Sequence, residues 1–222
     1  MKNIIITSAL VLGAIFTYSQ SVDNTQPLST AQTIDTIIQT GIYKSYYSYT
    51  LKEPLYVTYT LSKGGGECNR NAEHFHFTDC GCQHAATTKD YAHTGYDEGH
   101  LVNAEDFAFD CEKEKQTFCF YNCLPQTAKL NRGIWKHWET KIREVSQTES
   151  LFIITGGIYG SKTIGENHIA VPDYCYKVVT NADTHEMIYC LLFPNDESNQ
   201  VTSISYDELK IKLGYAVAEE GN

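Results

Sequence analysis

An export signal constrains this chain more than any other feature. Behind Met1-Lys2 an apolar run extends from Ile4 to Phe16 and closes on Thr17-Tyr18-Ser19, with small residues at the third and first places before Gln20. A bilayer span takes about 20 apolar residues, so this run is too short to cross. The basic residue before it and the small residues after it mark residues 1–19 as a secretory signal peptide. The mature protein is expected to be secreted or periplasmic, with no membrane attachment after cleavage. Cysteines in that compartment are expected in disulfides, which favours a fold whose distant loops are cross-linked.

The cysteines are Cys68, Cys80, Cys82, Cys111, Cys119, Cys123, Cys175 and Cys190. An even set fits pairing, but the alternatives are too many to resolve by counting. One pair follows from strand geometry. Val171–Thr180 and Met187–Phe193 read as strands joined by Asn181-Ala182-Asp183-Thr184, and a turn centred between Ala182 and Asp183 sets Cys175 opposite Cys190. A Cys175–Cys190 disulfide is therefore expected. Cys68, His74, His76, Cys80, Cys82 and His84 also have the ligand types of a zinc site. Their irregular spacing, together with export, favours disulfides and loop histidines instead.

Residues 20–40 are rich in Ser, Thr, Gln and Asn and read as a loosely held leader; residues 41–222 read as a single domain. Strand-like runs cover Tyr43–Thr50, Leu55–Leu61, Phe118–Cys123 and Leu151–Thr155. Between Asn131 and Ser146, the residues Ile134, Trp138, Ile142 and Val145 make an apolar stripe at helical spacing, which also makes Trp135 and Trp138 better core residues than base-stacking platforms. Ser205-Tyr206-Asp207-Glu208 is a capping box for a short helix ending at Gly214. The Gly64-Gly65-Gly66 run lacks the residues of a phosphate-binding loop and reads as a flexible connection. These elements predict an α+β fold, a central, mainly antiparallel sheet flanked by helices.

The formal charge is -10, and removal of residues 1–19 takes away Lys2 and no acid, leaving -11. A surface this acidic does not grip polyanions everywhere, so any nucleic-acid chemistry needs a local site. Residues 126–145 supply a locally basic segment, with Lys129, Arg132, Lys136, Lys141 and Arg143 against Glu139 and Glu144.

Two segments concentrate chemistry: Tyr96-Asp97-Glu98-Gly99-His100-Leu101, and the stretch from Asn122-Cys123-Leu124-Pro125-Gln126 through Leu130-Asn131 to Glu139. In order and spacing they resemble the DNA/RNA non-specific endonuclease family, the Serratia-type and endonuclease G-like nucleases. That family's Asp-Arg-Gly-His motif corresponds to residues 97–100 and its Leu-Asn-x-x-x-Trp-x-x-Leu-Glu segment to residues 130–139. Thr155-Gly156-Gly157, the Val171–Val178 stretch and Asp207-Glu208-Leu209 extend the likeness over most of residues 43–215.

The resemblance implies a ββα-metal (His-Me finger) site acting on DNA and RNA. In it, His100 stands at the general-base position and Asn131 at the metal-ligand position. Glu139 would reach the metal through water, and Asn122 would take a catalytic part by orienting substrate or histidine. The implied cofactor is Mg²⁺, with Mn²⁺ or another divalent cation able to take its place, and a homodimer is a further partner the family allows. Arg70, Arg132 and Lys136 are the candidate phosphate-binding cations. One departure stands out: Glu98 occupies the place of the motif arginine. A carboxylate beside His100 is expected to repel substrate and raise the imidazole's proton affinity. An alternative reading follows, a catalytically weakened or silent nucleic-acid-binding member of the same fold.

Overall fold

The computed structural model describes residues 32–217. The expected signal peptide and most of the expected leader lie outside the described residues. Seven strands form one antiparallel sheet in the order β1 (Thr36–Gln39), β2 (Lys44–Ser48), β3 (Glu53–Leu61), β6 (Leu151–Ile164), β7 (Ile169–Asn181), β8 (Met187–Pro194) and β9 (Thr202–Ser203). The expected fold class holds. Strand β1 falls within the stretch read as a loose leader, where Thr36 pairs with Tyr47 and Gln39 with Lys44.

The core explains the abundance of tyrosine. Tyr47, Tyr56, Tyr159 and Tyr176 are almost fully buried. The ring of each contributes apolar area while its hydroxyl needs a partner, as where Tyr159 donates to the Pro54 carbonyl at 2.6 Å. Leu55, Leu61, Leu151, Ile153 and Phe193 fill the space between. Each such side chain contributes about 1.5–3 kcal/mol when buried.

A separate two-stranded ribbon, β4 (Tyr96–His100) against β5 (Cys123–Thr127), packs on β3 and β7 and leads into helix α3 (Lys136–Val145). The expected strand Phe118–Cys123 is displaced: Phe120–Asn122 forms a 3₁₀ turn and the strand begins at Cys123. The Asn122 side chain accepts from Val102 N and donates to Val102 O and Thr117 O, which holds the backbone in a turn rather than a ladder. Helix α3 turns Ile142 into the core, with Ile134, Trp138 and Val145 packed at its edge. Trp135 is fully buried, meeting Phe193 edge-on at 5.1 Å, so it is core and not a base platform. The C-terminal helix α4 (Tyr206–Leu213) begins at the predicted capping box, with Ser205 Oγ accepting from Glu208 N at 3.1 Å, and stops before Gly214.

The cysteine expectation is corrected. Cys175 lies opposite Phe193, and Cys190 lies opposite Val178. The connection between β7 and β8 is longer than a turn centred at Ala182 and Asp183, and the register slips by an odd number of residues. Such a slip sends the two thiols to opposite sheet faces. Both are free and buried. The disulfides are Cys68–Cys111 and Cys80–Cys119. Both join the irregular stretch between β3 and the short helix α1 (Thr88–Tyr91) to the chain around α2 (Cys111–Gln116). They take up two members of the zinc-type cluster, and no group of three or more His, Cys, Asp or Glu side chains is placed to hold a metal among the described residues. The glycine run is also tied down: Gly64 N donates to Ser146 Oγ and Cys68 N to Ala108 O.

Candidate active site

The ribbon and α3 wall a cleft of about 650 Å³, lined by Arg70, His100, Asn131, Arg132, Lys136 and Glu139, with Asn103, Ala104, Glu105, Thr140 and Arg143 completing it. Residues far apart in sequence meet there for local reasons. Gly99 lets β4 approach the buried Gln126 side chain, which a Cβ would strike, and His100 follows directly. On the other wall the chain winds through a wide turn at Leu130–Trp135, broken at Gly133. Asn199 Oδ1 occupies the space a side chain at Gly133 would need and accepts from Ile134 N at 2.7 Å. This cap starts the helix that carries Glu139.

His100 is partly exposed at the cleft, its ring packed 4.4 Å from Phe77 and 4.7 Å from Phe118. Desolvation by that packing, aided by the charge of Arg70, pushes its pKa down to about 3. The imidazole is therefore neutral near pH 7. Its Nε2 is buried without a hydrogen-bond partner. The backbone behind it is held by Trp135 Nε1, which donates to His100 O at 3.2 Å, and by Leu101 N, which donates to Asn122 O at 3.0 Å.

Asn131 donates through Nδ2 to Asp97 Oδ2 at 3.0 Å, and Arg132 grips the same carboxylate by two bonds of 2.7 and 2.6 Å. Those three donations hold Asp97 below the usual carboxylate range despite its partial burial. Glu139 is buried, and desolvation pushes its carboxyl up to about 7 against the opposing pull of Lys177, Asn103 and Arg143. Asn131 and Glu139 together offer one neutral oxygen and one carboxylate on a single wall. That donor set suits a hard cation that keeps most of its own water, as Mg²⁺ does, and does not suit a cation requiring a full protein cage.

The candidate cations differ in their freedom. Arg132 is mostly exposed but committed to Asp97. Arg70 bonds Glu105 at 2.7 Å and lies 3.7 Å from the buried Glu114, which fix its guanidinium at the rim. Lys136 lines the cleft from the exposed start of α3.

Two expectations about the site change. Asn122 is fully buried and reaches no cleft surface; it pins Val102 and so positions the segment after His100 rather than touching substrate. Glu98 does not line the cleft: it hydrogen-bonds Thr88, and burial raises its pKa. It does not raise the proton affinity of His100, which is lowered.

Sequence reasoning missed the polar network under the cleft. Lys177 is buried with its Nζ 4.0 Å from the Trp135 ring centroid and 3.4 Å from Leu101 O. Arg143 bonds Asp106 at 2.9 Å and Asn103 at 3.3 Å, and Tyr59 donates to Asp106 at 3.1 Å. A signal existed for Lys177: it is a lone cation inside the apolar β7 run, and buried lysines need partners.

The family model for DNA/RNA non-specific endonucleases matches residues 21–218. The chain is 31% identical over 158 residues to mitochondrial endonuclease G of Bos taurus, covering 61% of this chain and 53% of that protein. It is 32% identical over 142 residues to a nuclease of Nostoc sp., covering 56% of this chain and 51% of that one. The matches thus span about half of each relative's length. A crystal structure of an EndoG/EndoGI complex shares the fold, with a TM-score of 0.73 at 22% identity over 83% of this chain and 86% of that one. With a ribbon and helix that carry the motif residues into one cleft, and a family model matched along nearly its whole length, this chain belongs to the DNA/RNA non-specific endonuclease family.

Proposed function

We propose that this protein is a metal-dependent endonuclease that hydrolyses the phosphodiester bonds of DNA and RNA and leaves 5′-phosphates. The observation that carries the reading is the convergence of His100, Asn131, Glu139 and Arg70 on one cleft. Asn131 and Glu139 would hold a divalent cation, Glu139 through water. Such an ion, Mg²⁺ or Mn²⁺ in its place, supplies positive charge to phosphate oxygens and to the leaving 3′ oxygen.

The chain's own groups divide the remaining work. His100 enters the reaction neutral, able to accept a proton from the attacking water. A bound phosphate brings negative charge into the cleft and raises the imidazole's basicity when the proton must move. Arg70 and Lys136 hold phosphate oxygens at the rim. The site of action is extracellular or periplasmic, a reading supported by the signal-peptide sequence of residues 1–19 and by two disulfides. The silent-binder alternative rested on Glu98, which faces Thr88, while Arg70 brings a cation to the cleft.

The test is degradation of plasmid DNA and RNA by the purified chain with Mg²⁺ and with chelator, alongside His100→Ala. Cleavage that needs metal and is lost in the variant supports the reading. Substrate retained without cleavage under any divalent cation defeats it in favour of binding alone.

A further inference from the structure

The imidazole of His100 is held from the side by a part of the chain with no regular structure. Between the end of β3 and the start of α1 there is neither helix nor strand, yet Phe77 from this stretch lies 4.4 Å from the His100 ring. Phe118 meets the same ring edge-on at 4.7 Å and Phe77 at 5.5 Å. A loop this irregular does not hold an aromatic ring in place by local propensity, because each unpaired residue keeps conformational freedom. Three connections restrain the segment around Phe77. Thr78 N donates to Phe118 O at 3.1 Å, Phe120 N donates to Thr78 O at 2.9 Å, and Cys80 is cross-linked to Cys119, the residue after Phe118.

The backbone of His100 is fixed from the opposite direction, by Trp135 and Asn122. Backbone bonds leave the side-chain torsions free, and no hydrogen bond restrains Nε2. The rings of Phe77 and Phe118 are the aromatic contacts that bear on the plane of the imidazole.

We propose that Phe77 and Phe118, locked together through the Cys80–Cys119 disulfide, are positioning residues that orient the His100 ring for proton transfer. The inference rests on the nuclease reading above for its kinetic consequence, but its structural content does not. The second disulfide serves a different group: Cys68–Cys111 anchors the chain two residues before Arg70, at the rim. The two cross-links therefore have separable effects, one on the turnover step and one on substrate capture.

The test compares the full-length Cys80→Ser/Cys119→Ser chain, Phe118→Leu, Phe118→Tyr and Cys68→Ser/Cys111→Ser, with melting curves for each. A mispositioned base lowers turnover while leaving binding alone. Cys80→Ser/Cys119→Ser and Phe118→Leu are expected to lower kcat about tenfold or more with KM within about twofold. Phe118→Tyr, which keeps the ring, should restore kcat, and Cys68→Ser/Cys111→Ser should raise KM instead. Independently of activity, the His100 ring protons of the wild type should carry aromatic ring-current shifts in the NMR spectrum. These should collapse toward ordinary values without the Cys80–Cys119 link. Equal losses in all variants that track melting temperature, with no rescue by tyrosine, overturn the proposal, as does a ring-current signature unchanged in Cys80→Ser/Cys119→Ser. A wild type that never cleaves nucleic acid, together with a signature that is present in it and collapses in Cys80→Ser/Cys119→Ser, defeats the nuclease reading and supports the positioning of the ring.

Discussion

Asp97 accepts the Nδ2 hydrogen of Asn131 at 3.0 Å, and this bond decides which end of the amide is free for the cleft. Asp97 is held below the usual carboxylate range, so it is ionised and can only accept. The nitrogen of Asn131 must face it, which leaves the carbonyl oxygen as the group able to meet a hard cation. Arg132 supports the arrangement by occupying both oxygens of the same carboxylate. Asp97→Asn can donate as well as accept and no longer enforces the orientation. Partners of this kind are worth about 10–100-fold in metal affinity or activity. The expected outcome is a rise of that order in the Mg²⁺ concentration giving half-maximal cleavage, measured by metal titration at saturating DNA.

Arg70 and Glu98 should exchange the importance that the motif assigns them. Glu98 sits at the motif position but bonds Thr88, whereas Arg70, far from the motif in sequence, lines the cleft. Arg70→Ala should lower kcat/KM by about 10-fold or more, as loss of a charged hydrogen bond of about 1.5–3 kcal/mol implies. Glu98→Gln should change it by less than about 3-fold, since the substitution removes no contact to substrate. Steady-state cleavage of a short labelled duplex separates the two. A larger loss for Glu98→Gln would return the phosphate site to the motif.

What was legible in advance was local. The capping box at Ser205 and Glu208 involves residues three apart, and the helix begins there. The meeting of His100, Asn131 and Glu139 in one cleft was legible because the motifs that carry them are short and ordered, and the ribbon, the Leu130–Trp135 turn and α3 bring them together. The disulfide partners were not, because Cys68 and Cys80 pair with residues 43 and 39 positions away across an irregular loop. Cys175 and Cys190 were misjudged through a small error in loop length, which in a strand with a two-residue period reverses the face. Asn122, expected to orient substrate or histidine, is buried and bonded to Val102 and Thr117, because motif position does not reveal where an amide points.

The thiol inventory follows directly from that correction. Cys123, Cys175 and Cys190 are buried thiols whose pKa values are raised chiefly by desolvation, and Cys82 is partly exposed. Alkylation of the native protein should therefore label Cys82 first and leave the other three unreacted until the chain is unfolded. Non-reducing peptide mapping should recover Cys68 linked to Cys111 and Cys80 linked to Cys119. A recovered Cys175–Cys190 peptide would show that the sheet register is different in solution.

The raised carboxyl of Glu139 makes stability depend on pH in a direction opposite to that of a salt-bridged acid. Burial lifts it to about 7, above the ordinary value of 4.5, so in that window the folded chain keeps a proton that the unfolded chain has released. Unfolding then releases a proton, and the contribution of this group to stability is lost as pH rises from 4.5 through about 7. Glu139→Gln carries no such proton. Without metal, the melting temperature of the variant relative to wild type should increase between about pH 5 and about pH 8, by about 5–10 °C for a domain of this size. A divalent cation reverses the balance because it favours the ionised carboxylate and binds only the folded chain. Excess Mg²⁺ should therefore raise the wild-type melting temperature more at about pH 8 than at about pH 5, and Glu139→Gln should lose most of that pH-dependent gain. Equal Mg²⁺ stabilisation of both proteins at every pH would remove Glu139 from the metal site.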